Sequence, residues 1–175
     1  MDWYTSVFEV IDMRSFSNLW YWIVLAVTWS STSHWVLGVP FDLIQRAGRH
    51  GGQAEADLQD LVRINANRIL LVTGVSGVWV LGLASFCLTV LAVLGFYYWI
   101  EFCQAVFLLA LPLSLVGGLR ILVAQRIRRE SLAGEPLRKR LMLHRLHTQI
   151  VGMLAIFVTG MWGMWQNLAI GALGG

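Results

Sequence analysis

The chain has 175 residues, of which 57% are hydrophobic and only 13% charged, with 9 tryptophans and a formal charge of +3. A soluble domain carries roughly a quarter charged residues, and here the charges gather in short arginine-dense stretches between long apolar ones. That alternation excludes an ordinary soluble domain, and points to an all-α polytopic membrane protein rather than a nucleic-acid binder.

The opening stretch, residues 1–17, alternates apolar and acidic residues. Trp3, Val7, Val10 and Arg14 fall along one side at helical spacing, which suits a helix lying on the outer surface or a short unstructured tail. The first apolar run follows acids rather than a basic leader segment and has no small-residue cleavage site, so it is expected to be a retained span. Four segments approach or exceed the roughly 20 apolar residues that cross a bilayer: Asn18–Val39, Ile69–Gly95, Phe102–Val123 and 148–170. Together they make a single transmembrane domain. Pro112 predicts a kink in the third, because it removes a backbone donor and crowds the preceding turn.

Twelve of the thirteen Lys and Arg residues lie in the two connections and their borders, and only Arg14 lies elsewhere. The excess of cytoplasmic lysine and arginine in membrane proteins then predicts both termini outside and both connections in the cytoplasm. Arg126, Arg128, Arg129, Arg138, Lys139 and Arg140 are the candidate contacts to lipid headgroups. The connections themselves read as helical hairpins. Leu58, Leu61, Val62, Asn65 and Ile69 keep one helical face, so the second span is expected to begin below the membrane. Gly48 and the pair Gly51–Gly52 are expected to break the chain before it. In the second connection Gly134 reads as a helix stop and Pro136 as a start, with Leu137 and Leu141 opening a basic helix. The tripeptide Val-Thr-Gly at Val72–Gly74 and Val158–Gly160 suggests a duplicated two-helix unit, on a short match.

The polar run Thr28–Val36 interrupts the first span. Ser30, Ser31, His34 and Gly38 share a face there and form one candidate contact surface. Ala155, Thr159 and Gly163 recur every four residues in the last span and form a second, suited to close helix packing or self-association. His34 and His147 fall at matching depth, as two axial haem ligands would. His147 has His144 three residues before it among basic residues, which fits histidines meeting water and lipid phosphate better than haem. Cys87 and Cys103 flank the outer turn and read as free thiols. Glu101 sits beside Tyr97, Tyr98 and Trp99, where an interfacial, solvated carboxylate is expected. Trp20, Trp22, Trp99, Trp162 and Trp165 fit an outer aromatic belt and Trp35 the inner boundary. No nucleotide-binding loop, nucleophile motif, metal-binding spacing or buried carboxylate pair stands in the sequence, so no enzymatic activity and no resident cofactor are expected.

The stretches "VFEVIDMRSFSNLWYW", "SHWVLGVPFD" and "RHGGQAEADL" resemble a group of small four-span membrane proteins of alphaproteobacteria, some labelled as components of the SUF iron–sulfur assembly machinery. The resemblance implies a bacterial inner-membrane location and brings no catalytic motif. Two cysteines do not make an iron–sulfur site, which usually takes four ligands. The expected function is a non-catalytic accessory or scaffold subunit packed against a larger integral membrane protein. A homo-oligomeric channel or transporter, in which the hydroxyl face of the first span joins Thr73, Ser76, Ser85 and Thr89, and a haem or quinone carrier are the alternatives.

Overall fold

The computed structural model describes residues 15–173, with side chains through Leu168, so the surface helix expected from Trp3, Val7, Val10 and Arg14 lies outside the described residues. A short 3-10 turn, Ser15–Ser17, leads into α1, Leu19–His34. A two-stranded hairpin, β1 Trp35–Val36 and β2 Val39–Pro40, then hands the chain to the amphipathic α2, Phe41–His50. Three long helices follow: α3 Gly52–Ala92, which ends in a π-helical turn at Val93–Tyr97, then α4 Glu101–Glu130 and α5 Gly134–Leu173. Three helical segments, Gly52–Tyr97, Glu101–Glu130 and Gly134–Leu168, are long and apolar enough to cross a membrane.

The first expected span is shorter than the sequence suggested. Helix α1 has 16 residues, or about 24 Å at 1.5 Å per residue. It stops at His34 because the chain turns back through Leu37 and Gly38, both at positive φ (55° and 78°). The antiparallel register pairs Trp35 with Pro40 and Val36 with Val39, so Trp35–Val39 belongs to a hairpin and not to a span. Two breaks also shift. Helix α2 runs through Gly48 and ends at Gly51, where φ is 60°. Helix α4 ends on Ser131 in the left-handed region, and Gly134 opens α5 rather than stopping a helix. Pro112 lies within an uninterrupted α4.

The main core sits at the arginine-rich end. Val36, Leu37 and Val39 of the hairpin and Ile44 and Ala47 of α2 pack on Leu58, Val62, Ala66 and Leu70 of α3. Val123, Ala124 and Ile127 of α4 and Leu137 and Leu141 of α5 close the cluster. Of the face expected from Leu58, Leu61, Val62, Asn65 and Ile69, Leu58 and Val62 are buried and the other three half-buried, and the buried line continues through Ala66 and Leu70; α3 starts well before its apolar span. Arg138 pairs with Glu55 across this core, joining α5 to the first turns of α3.

A smaller cluster ties α1 to α4 and α5 through Leu25, Trp29, Val116 and Ala155. Close approach makes it possible. A Cβ on Gly152 would stand 2.8 Å from the Trp29 ring, and one on Gly163 would stand 3.2 Å from Phe16. Leu37→Ala should lower stability by about 2–5 kcal/mol through the cavity it leaves. Leu81→Ala, on an exposed stretch of α3, should stay within about 0.5 kcal/mol. Unfolding of both variants in mild detergent tests the contrast.

Candidate functional site

The polar stretch Thr28–Val36 forms the last two turns of α1 and the start of the hairpin. The C-terminal carbonyls of a helix lack intrahelical donors and attract cations, and here two guanidiniums supply both. Arg145 Nε donates to Ser33 O at 3.3 Å, and Arg120 Nη2 donates to Trp35 O at 3.4 Å. Arg145 also lies 3.5 Å above the Phe41 ring, a cation–π contact that fixes the start of α2 to the same point. Ser33 Oγ returns a hydrogen bond to Ser30 O at 3.0 Å, the local back-bonding open to serine in a helix.

Ser30, Ser31, His34 and Gly38 are all exposed. Ser30, Ser31 and His34 thus leave their face of α1 uncovered, whereas Gly38 lies in the hairpin turn against Asn65. The small-residue stripe of α5 behaves in the opposite way: Ala155, Thr159 and Gly163 are buried within the chain, Gly163 against Phe16 of the N-terminal turn. The stripe is a surface for the chain's own helices, which leaves it no room for a partner.

His34 and His147, the two candidate haem ligands, are both exposed, and His34 packs edge-on against Trp35 at 5.8 Å. The buried histidine is His144, 2% exposed, whose Nδ1 has no hydrogen-bond partner. Among the described residues no three His, Cys, Asp or Glu side chains gather to hold a metal ion. Cys87 is exposed and Cys103 buried, both as free thiols.

The candidate headgroup residues divide. Arg126 pairs with Glu130 and Lys139 with Glu135, each at 2.7 Å and in solvent, while Arg138 is taken up by Glu55. Arg128, Arg129 and Arg140 form no ion pair among the described residues, and Arg140 Nε is buried without an acceptor.

At the opposite end, three residues at the start of α4 gather the bundle. Glu101 accepts from Phe16 N at 2.7 Å, so this carboxylate anchors the N-terminal turn rather than standing free in water. Tyr21 donates its hydroxyl to Ala105 O at 3.1 Å. Gln104, fully buried, donates to Gly95 O at 2.8 Å and accepts from Trp162 Nε1 at 2.9 Å and Gln166 Nε2 at 2.5 Å. A Cβ on Gly95 would meet the Gln104 backbone at 3.0 Å, which explains a glycine where α3 hands over to α4. The sequence signal for this knot was an amide inside an apolar span, where a polar side chain needs a partner.

The apolar stretch of α3 differs from those of α4 and α5. Its most apolar 18-residue window has none of its residues buried, against 11% for α4 and 28% for α5. Val75, Val78, Trp79, Leu81, Leu83 and Phe86 are all exposed, and no atom lies within 4 Å of where a Cβ on Gly74 would stand. From Leu71 to Ala92 helix α3 has no fully buried residue: Thr73, Ser76, Gly77, Ala84 and Leu88 are half-buried along one side, and the other side is exposed.

No protein-family model matches the chain, and no curated protein or solved structure is similar enough to assign a family.

Gln104→Leu should lower stability by about 1–3 kcal/mol, because it leaves the Trp162 and Gln166 donors buried without an acceptor. Arg145→Ala should cost about 1–2 kcal/mol through the lost cap and cation–π contact. Thermal unfolding of the detergent-solubilised chain measures both. Retention of wild-type stability by Gln104→Leu would show that the knot is not needed.

Proposed function

We propose that the chain is a non-catalytic, four-span subunit of a bacterial inner membrane that packs against a larger integral membrane protein. The arginine-rich end faces the cytoplasm in this reading and both termini face outward, as the distribution of Lys and Arg favours. The fourth span is α1. Its deficit of about 6 Å against a core of about 30 Å is within what local thinning and aromatic anchoring accommodate, with Trp20 and Trp22 near one end and Trp35 at the other.

The observation that carries the docking role is the exposed outer side of the middle of α3. Between helices in lipid, association rests on close packing at small residues rather than on the hydrophobic effect. Helix α3 offers Gly74, with open space around it, between the exposed Leu71 and Val78. The exposed Ser30, Ser31 and His34 of α1 supply a second, polar surface for interhelical hydrogen bonds. A channel built from the chain's hydroxyls is less well supported: Thr73 and Thr89 donate their hydroxyls to Ile69 O and Ser85 O of their own helix, at 2.7 and 2.8 Å.

Gly74→Leu should leave the unfolding temperature of the purified chain unchanged and should abolish recovery of the partner from native membranes in mild detergent. A photo-crosslinking residue at Val78 should give a discrete protein adduct in cells. Recovery of the wild-type chain alone, with lipid as the sole adduct at Val78, would overturn the proposal.

A further inference from the structure

Between α3 and α4, on the side of the hairpin, runs a crevice of about 440 Å³. Its mouth lies at the arginine-rich end and carries Arg68 and Arg120, and no acidic side chain lines it. Neither guanidinium has an ion pair among the described residues. Arg120 makes one long hydrogen bond, to Trp35 O, and its Nε is buried with no acceptor. Asn65 closes the mouth by donating to Gly38 O at 3.2 Å. Beyond the mouth the walls are apolar, with Val72 and Val80 of α3 and Ile121 of α4. Gly117 lines the same crevice, with nothing within 4 Å of where its Cβ would stand.

We infer that this crevice binds one anionic phospholipid, with its phosphate held by Arg68 and Arg120 and an acyl chain lying between α3 and α4. Three features select that occupant. Two guanidiniums without an ion pair at one mouth attract an anion, and the orphaned buried N–H of Arg120 is a donor in need of an acceptor. The twelve steps from Arg68 to Val80 rise about 18 Å, close to the roughly 15 Å of hydrocarbon in one leaflet. The polar mouth and apolar shaft therefore meet at the depth where a headgroup meets its chains. A helix about 10 Å across does not fit a crevice of this volume. A zwitterionic headgroup would bring its own cation against the two arginines. The site is separate from the exposed Arg126, Arg128 and Arg129.

The full-length chain, delipidated in mild detergent, is titrated with phosphatidylglycerol and with phosphatidylcholine and read by native mass spectrometry and thermal unfolding. Phosphatidylglycerol should give a single stoichiometric adduct and raise the unfolding temperature, and phosphatidylcholine should do neither. Arg68→Gln and Arg120→Gln should each weaken the adduct roughly fivefold, and the control pair Arg126→Gln/Arg129→Gln should leave it intact. Gly117→Leu keeps both charges and fills the shaft, so it should abolish the adduct. Should Arg120→Gln fail to fold, the exposed Arg68 and Gly117→Leu decide the matter between them. Equal binding of the two lipids, full retention by Arg68→Gln or by Gly117→Leu, loss in the control pair, or the same stabilisation by inorganic phosphate alone would each overturn the inference. None of these readouts depends on a protein partner.

Discussion

The arginine-rich end depends on a two-residue turn that holds a leucine at positive φ. The left-handed conformation costs a non-glycine residue about 1–2 kcal/mol. Leu37 meets that cost by complete burial, which stabilises by about 1.5–3 kcal/mol for a side chain of this size. The consequences spread outward from there. The turn ends α1, directs α2 back across the bundle, and presents the last carbonyls of α1 to Arg120 and Arg145. It also sets Gly38 against Asn65, which defines the mouth of the crevice between α3 and α4.

The two ends of the bundle are held by different physics. At the arginine-rich end a continuous apolar core does the work, as in a water-soluble domain, with an ion pair and two helix caps around it. At the opposite end the contacts are mainly hydrogen bonds and aromatic packing: Gln104 with Trp162 and Gln166, Tyr21 with a backbone carbonyl, and Trp162 with Trp165 at 5.0 Å. Such bonds can persist where lipid is as apolar as the side chains, because an unpaired amide there has no water to turn to. Between the ends α1, α4 and α5 bury side chains among themselves, whereas α3 is half-buried along one side and exposed on the other. An apolar helix placed in this way keeps its orientation and still presents its outer surface to lipid or protein.

Much of this architecture was legible in the sequence, and the parts that were not have specific causes. Apolar runs and arginine clusters located the three long helices, and the spacing of Leu58, Val62 and Ile69 placed the start of α3 before its apolar span. The hairpin was hidden because Trp-Val-Leu-Gly-Val is as apolar as a span, and because its turn uses leucine where asparagine or glycine would have announced it. The Gln104 knot was hidden for a different reason: its partners lie 58 and 62 residues away, beyond any local pattern. The stripe Ala155–Thr159–Gly163 was legible as a packing face. What spacing alone could not say is whether the chain or a partner would cover it, and Phe16 and Trp29 decide that by filling the groove.

Helix lengths connect these features to the membrane. Helix α1 rises about 24 Å, whereas the apolar part of α3, residues 69–95, rises about 40 Å. Both ends of a short helix and a long one cannot sit at the same two depths, so in the proposed four-span reading α3 tilts or the bilayer thins beside α1. The hairpin and α2 resolve the difference at one side. They fold up against the lower turns of α3, α4 and α5, and bury Ile44 and Ala47 while Asp42, Gln45, Arg46 and Arg49 face outward or carry exposed heads. In the proposed reading an amphipathic helix in that position lies at headgroup level, at the same arginine-rich end as Arg68 and Arg120. In that reading the polar end of α1 is no intrusion into the hydrocarbon: its last carbonyls meet Arg145 and Arg120, and Arg120 is also one of the two arginines proposed to hold a lipid phosphate.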